Sequence, residues 1–486
     1  MRFEVGNKIT VINPSGDLMR WCRTEMTMAN PEYDKKIRMG LWAGNTPERF
    51  CLYEFDAGKI ILPFGTVGRL REMYPDSAFI SRIKPSERFL CSSNINLYDY
   101  QEKAVNEALK AKNGIVVMPC GAGKTQVALE IIARLGSKAL WLTHTSDLLN
   151  QSLNRAKSVL NCDTQSYGTI TEGKVKIGSG ITFATVQTMV KLDLSLYRDT
   201  WGCVVVDECH KAVGSPTKAM QFYRVLSNLS CRYKFGVTAT PKRADGLHKA
   251  MFALIGDKIC EVSREEVAHT TCPVEVRFLE TNYMPDLDVV LSVDGTINYA
   301  SLVNDLTSNQ HRFEEIMLYI NNIPSGRPML VLANRVAYLE KMMGAYKGRA
   351  VCLSSMGASK KAKEERKEVL RKLNDGEIDC VFATYQLAKE GLDVPNLRYV
   401  VFATPEKDET TVAQAAGRVG RKADGKEKGI ILDFCDSFSM FAGWKKNVSA
   451  CTKNLGIHIK KYIDILEGML YNQVERRYYG ERKETR

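Results

Sequence analysis

Apolar runs of four to six residues recur through two long stretches of the chain, each run followed by a segment long enough to form a helix. In the first stretch they fall at 115–118, 138–143, 181–185, 203–206 and 233–237. Most are apolar at every position instead of alternating with polar residues. Strands of that kind are covered on both faces, as in a parallel sheet wrapped by helices. After Arg327 a second series appears at 329–332, 350–353, 379–382, 399–402 and 429–432. The pattern therefore predicts an α/β fold of two similar parallel-sheet units in tandem.

Around these units the pattern changes. Between them, 273–279 reads as a strand that joins the second sheet, 285–298 as a turn-rich surface excursion, and 311–320 as a helix. Residues 1–90 combine Trp21, Tyr33 and Trp42 with Lys35, Lys36 and Arg38, then a Leu-Pro-Phe-Gly turn at 62–65; they read as a small α/β accessory domain. At the C-terminus, Ile459, Ile463, Leu466 and Leu470 recur at helical spacing, predicting a basic helical tail over 457–478 with one face on the second unit. The expected domains are 1–90, 91–268, 269–440 and 441–486, with a hinge near 265–275.

Composition narrows the class. A chain of 486 residues is too long for one core, and its 44% hydrophobic content is that of a globular protein. The formal net charge of +12 suits a polyanionic partner. Fourteen cysteines are scattered with no Cys-x-x-Cys pair, and Cys203, Cys380 and Cys435 lie inside apolar runs, where a thiol acts as a small core residue. A reducing, cytoplasmic location is expected. No apolar stretch approaches the roughly 20 residues of a membrane span, so no membrane partner is expected.

The chemistry sits where strand runs end. Met118-Pro119-Cys120-Gly121-Ala122-Gly123-Lys124-Thr125 follows one run and precedes the helical stretch 126–135. Glycines there allow backbone N–H groups to approach phosphates at a helix N-terminus. Lys124 can reach phosphate oxygens and Thr125 can hold Mg²⁺. The usual pattern has glycine at the position of Met118, so the loop is a degenerate match. Asp207-Glu208-Cys209-His210 closes the run at 203–206; Asp207 suits the metal shell and Glu208 can take a proton from an attacking water. Thr238 and Thr240, after Phe235-Gly236-Val237, can hydrogen-bond His210 and couple it to the phosphates. Far downstream, Gln414-Ala415-Ala416-Gly417-Arg418-Val419-Gly420-Arg421 offers Arg418 and Arg421 from a helix start to a transferring phosphoryl group, with Gln414 beside them.

In this order the motifs resemble those of superfamily 2 helicases and translocases over about residues 95–440. The sequence Gly-Val-Thr-Ala-Thr-Pro-Lys-Arg-Ala-Asp-Gly at 236–246 is similar to that of the XPB-like branch and of phage helicases that remodel branched DNA. The resemblance implies two RecA-like lobes with ATP and Mg²⁺ between them. It implies phosphate contacts from Gly121, Ala122, Gly123, Lys124 and Thr125, adenine recognition by Gln101, and nucleotide contacts from Gly391 and Asp393. It also places Thr143, His144, Thr185, Gln187, Asn334, Arg335 and Thr384 at DNA-contact positions, although each is by itself an ordinary loop-stabilising residue. The expected protein is an ATP-dependent motor on forked or branched DNA, compatible with a monomer but with no oligomeric state fixed by the sequence, and with residues 1–90 either touching duplex DNA or packing on the first lobe. An RNA helicase and the motor subunit of a restriction complex are the rival readings.

Overall fold

The computed structural model describes every residue except 120, 213–215, 240–247, 282, 293–294, 356–359, 390–393, 407, 437–448, 450–457 and 464–486. Thr240, Gly391 and Asp393 therefore lie outside the described residues. The chain divides into two compact units, Met1–Ser263 and Arg264–Arg486.

The first unit contains an eight-stranded sheet ordered Lys174–Lys176, Tyr167–Thr171, Ile181–Thr185, Ala139–Thr143, Cys203–Asp207, Tyr233–Thr238, Asn113–Val117 and Lys258–Glu261. All neighbours are parallel except the first pair. The five apolar runs form its central strands, and Ile181–Thr185, Ala139–Thr143 and Cys203–Asp207 are buried throughout. That burial is why they lack polar alternation. The sheet also holds an edge hairpin, 167–176, turned by Glu172 and Gly173 at φ 52° and 77°. Its strand Lys174–Lys176 is exposed, and the exposed lysines of such an edge discourage pairing with another chain.

Residues of the N-terminal segment build a second, five-stranded sheet ordered Glu54–Asp56, Lys59–Pro63, Lys8–Ile12, Arg2–Val5 and Ala78–Ser81. It is continuous with the core of the first lobe, since one apolar cluster runs from Phe3, Ile9 and Leu62 to Val117, Leu142 and Val206. Polar ties reinforce the join: Arg69 pairs with Asp257, Asn7 donates to Ser227 O at 2.7 Å, and Lys249 meets Glu25 at 3.3 Å. Backbone meets backbone closely at Gly65. A Cβ there would lie 2.6 Å from Phe252 O, Ala253 O and Gly256 N.

The second unit holds a seven-stranded, all-parallel sheet ordered Ala350–Cys352, Cys380–Thr384, Met329–Ala333, Tyr399–Phe402, Gly429–Asp436, Val274–Thr281 and His458–Ile463. The strand expected over 273–279 joins this sheet. Two readings need correction. The stretch expected to open a helical tail forms the edge strand His458–Ile463 instead. Ile459 and Ile463 are four apart, a spacing that also fits a strand, and these two β-branched residues together with Tyr462 favour extension. The turn-rich excursion contains a helical turn, Leu287–Val290, and leads into the helix Tyr299–Ser308, whose start is capped by Asn298 accepting from Ala300 N and Ser301 N. Leu302 and Leu306 pack there against Tyr283 and Val290.

Two glycines one turn apart distinguish tight packing from mere local preference. Gly65→Ala forces backbone apart and is expected to lower stability by about 1–3 kcal/mol. Gly68→Ala, in the helix Val67–Met73 with nothing within 4 Å of the added carbon, is expected to be neutral or stabilising by up to about 1 kcal/mol. Urea-unfolding midpoints of the two variants check this; equal midpoints would refute the close-packed junction.

Candidate nucleotide site and nucleic-acid contacts

The strand Asn113–Val117 does not stop at its last apolar residue, because Met118 N still donates to Thr238 O at 2.9 Å. Met118 is fully buried. The position where the usual loop has glycine is here the last rung of a ladder, which any L-residue can occupy. The chain then turns, with Ala122 N donating to Pro119 O and with Gly121 and Gly123 at φ 86° and 82°. Gly123 starts the helix Lys124–Leu135 with no side chain capping its first N–H groups. An uncapped helix start carrying a lysine is an anion site.

Behind the loop stands Gln101, 1% exposed. Its Nε2 donates to Ala122 O at 2.8 Å and its Oε1 accepts from Tyr98 N at 3.0 Å. Tyr100 Oη adds a bond to the same Ala122 oxygen at 3.3 Å, a support the sequence reading missed. A Cβ on Gly123 would stand 2.3 Å from Gln101 Nε2. Gln101 and Gly123 thus fit one another, and Gln101 buttresses the loop. The exposed Tyr98 stacks on Tyr100 with centroids 5.7 Å apart.

Two strands away, Cys203–Asp207 delivers the acidic pair. Asp207 is 6% exposed; its Oδ1 accepts from Glu208 N at 2.9 Å and its Oδ2 from Ser152 Oγ at 3.4 Å. Burial, then the neighbouring Glu208 carboxylate, push the Asp207 carboxyl up to about 7, against the opposing pull of Lys124. Glu208 has φ 48°, a left-handed conformation unusual outside glycine. That turn brings its carboxylate between two partners: Lys124 Nζ lies 3.7 Å from Oε1, and His210 Nδ1 lies 3.3 Å from Oε2. His210 Nδ1 is also 2.8 Å from Thr238 Oγ1. Lys124, Glu208, His210 and Thr238 form one connected row across the ends of three strands, as expected for Thr238.

Two crowded, largely buried carboxyls beside a single lysine fit a divalent cation, which would relieve their mutual repulsion. Among the described residues no group of three or more acidic, histidine or cysteine side chains encloses a metal. Such a site suits Mg²⁺, which keeps waters and binds through one or two protein oxygens plus phosphates. Thr125, half-buried in the first helical turn, stands on the same loop.

The other named residues are placed as follows. Thr143 is fully buried, with its hydroxyl on Thr145 O and Ala184 O, and Thr185 bonds Thr188 Oγ1 at 3.0 Å. Their hydroxyls hold loops. The exposed Gln187 donates to His144 O at 2.6 Å, tying the two loops together at the surface. In the second unit, Thr404 joins the corresponding ends: its Oγ1 accepts from Asn334 N at 3.1 Å and its carbonyl accepts from Tyr385 Oη at 2.5 Å. Thr384 Oγ1 accepts from Leu387 N, and Arg335 Nε donates to Asn304 Oδ1 at 2.8 Å. Thr404 lies outside the motifs, and Tyr385, inside the stretch 384–393 that resembles a family motif, was not singled out for this role.

The helix Glu409–Val419 carries Gln414 one turn ahead of Arg418. Arg418 lies in the last turn, and Arg421 follows in a bridge to Thr271. The arginines stand at the end of a helix, not at its start as the sequence suggested, because eleven helical residues precede Gly420. Gln414 and Arg418 share one face, over a small crevice floored by Leu330, Leu332 and Val400.

No described helix is long and apolar enough to cross a membrane. Residues 94–243 match the family described as "Type III restriction enzyme, res subunit", and residues 311–423 match "Helicase conserved C-terminal domain". The chain is 26% identical over 373 residues to the DNA 3'-5' translocase XPB2 of Sulfurisphaera tokodaii, covering 69% of this chain and 81% of that one. It is 22% identical over 458 residues to the ATP-dependent DNA helicase uvsW of Enterobacteria phage T4, covering 88% and 87%. A match to the ATP-dependent RNA helicase L396 of Acanthamoeba polyphaga mimivirus, 23% identical over 344 residues, spans 69% of this chain but 62% of that protein. Among solved structures, S. cerevisiae Dbp5 bound to RNA and ADP BeF3 shares the fold with TM-score 0.55 at 16% identity, covering 78% of this chain and 93% of that one. The type ISP restriction-modification enzyme LlaBIII bound to DNA does so with TM-score 0.53 at 18% identity, covering 74% and 30%. With the two helicase-domain matches in order along the chain and a parallel sheet in each unit, the chain is similar to superfamily 2 helicases, among them the XPB-like and phage DNA enzymes.

Proposed function

We propose that this protein is an ATP-driven motor that moves along DNA and remodels forked or branched duplexes. The observation that carries the reading is the row Lys124–Glu208–His210–Thr238, in which one carboxylate stands between a phosphate-binding lysine and a histidine. In this reading the N–H groups of the loop 121–125 and Lys124 hold the phosphates. Thr125 and Asp207 are the protein groups that would hold Mg²⁺, which when bound would neutralise phosphate charge. Water attacks the γ-phosphorus and passes its proton to Glu208, while ADP leaves. His210, 3.3 Å from the base, senses that step, and Thr238 relays it through its hydrogen bond to His210 Nδ1. Arg418 and Arg421 supply positive charge to the transferring group.

Gln187 and His144 in the first unit, and Asn334, Arg335 and Thr384 in the second, are assigned to the DNA backbone. Thr404 acts on the second set as a positioning residue. The net charge of +12 supports a polyanionic track. DNA is preferred over RNA because the phage T4 relative, which matches 88% of this chain, and the Sulfurisphaera tokodaii relative, which matches 69%, are named for DNA, against the mimivirus relative, which also matches 69% and is named for RNA. Branched DNA is preferred on the likeness of residues 236–246 to phage remodelling helicases.

Glu208→Gln keeps size and hydrogen bonding but removes the base. ATP turnover is expected to fall about 10²–10⁴-fold with ATP affinity retained. Rapid hydrolysis by this variant, measured as phosphate release beside nucleotide binding, would remove Glu208 from the role. A second test compares ATP hydrolysis without nucleic acid and with single-stranded DNA, duplex, fork, four-way junction and RNA. Strongest stimulation by fork or junction is expected. Stimulation by RNA alone would transfer the reading to an RNA helicase, and stimulation by plain duplex with no unwinding would favour a restriction-type motor.

A further inference from the structure

At the edge of the first-lobe sheet away from the phosphate loop, the N-terminal segment and the lobe enclose an open cleft of about 410 Å³. Val5, Phe64, Val67, Phe79 and Ile83 give it an apolar floor. Its rim carries Arg71, Lys84, Lys112 and Arg232, and no acidic residue lines it. Lys84 has a counter-ion, Asp199 at 2.9 Å. Arg71, Lys112 and Arg232 make no ion pair among the described residues. The walls are fixed relative to one another by the close packing at Gly65 and by the Arg69–Asp257 pair.

We infer that this cleft is a docking site for an acidic peptide segment of a partner protein, with an apolar side chain on the floor and carboxylates on the rim. Three unpaired cations around an apolar floor are complementary to such a segment. A nucleotide fits less well. Phe79 is stacked on Phe3, with centroids 4.5 Å apart, and is covered by the Arg71 guanidinium 5.4 Å away; Phe64 has Lys234 Nζ 4.7 Å from its centroid. These rings are occupied and offer a base no open platform. The polar atoms nearby are also spent, since Asn113 Nδ2 donates to Ile255 O and Ser81 Oγ accepts from Ile83 N. The chain's own C-terminal stretch from 441 onward is basic and has the wrong charge.

The test uses the full chain and a fluorescein-labelled octapeptide of Asp and Ser ending in Leu-Phe, followed by anisotropy. Saturable binding is expected, weakened about tenfold or more by Lys112→Glu with Arg232→Glu, and weakened again when the terminal Leu-Phe becomes Ser-Ser. Both substituted side chains are exposed and lie outside the nucleotide site, so ATP hydrolysis without nucleic acid should stay unchanged. Absence of binding, equal binding by the parent and the doubly substituted protein, or displacement of the octapeptide by a thymidine dinucleotide at similar concentration would overturn the assignment.

Discussion

The parallel register of the first sheet is the constraint on which the nucleotide face depends. Thr238 is level with Val117, Asp207 with Val237, and Leu142 with Val206. Parallel strands in register must end together, so residues more than a hundred positions apart in sequence arrive at one edge. The ladder extends one residue into the phosphate loop through Met118 and Thr238, which fixes where the loop begins its turn. A slip of one residue in any of these pairings would reverse the faces of a whole strand and place Asp207 in the apolar layer.

Charge is concentrated at that edge, and burial makes it costly. Asp207, Glu208 and Lys124 are removed from most solvent, so each carboxylate is sensitive to the other and to whatever cation approaches. The strained backbone at Glu208 belongs to the same arrangement, since a relaxed turn would not direct its carboxylate between Lys124 and His210. The second unit uses buried charge differently. Arg312 and Asp436, both fully buried, pair through two nitrogens, and Arg312 also donates to Ala403 O at 2.8 Å. This pair anchors the helix Gln310–Asn321 to two strand ends next to Thr404. It is fully satisfied, the condition under which a buried ion pair can specify an arrangement without destabilising it.

How much of this was legible depended on whether the signal was local. Central strands announced themselves, because burial on both faces demands unbroken apolar runs. The row from Lys124 to Thr238 was legible through motif order, including the His210–Thr238 bond. Edge elements were not: the exposed Lys174–Lys176 carries little apolar signal, and the strand His458–Ile463 has apolar spacing that fits a helix equally well. Supporting residues such as Tyr100, Tyr385 and Thr404 are common residue types whose roles come only from where tertiary packing sets them. The cationic cleft left no trace in the sequence, because its lining comes from several separate segments and only the folded unit places them together.

That assembly also explains why the N-terminal segment is part of the first unit's physics as well as its surface. Lys234 lies on a central strand, 1% exposed, with burial driving its amine below the usual lysine range. Its Nζ donates to Leu226 O at 2.8 Å and lies over the ring of Phe64, a residue of the N-terminal segment. A lysine so placed needs both partners, one for its hydrogen bond and one for its charge. Without the segment, the amine, the apolar residues behind Gly65 and the lone Asp257 carboxylate would all face water. The phosphate loop stands at the carboxyl end of the strand Asn113–Val117, and the N-terminal segment covers its amino end. The same sheet therefore presents phosphate chemistry at one edge and, at the other, a surface finished by the first ninety or so residues.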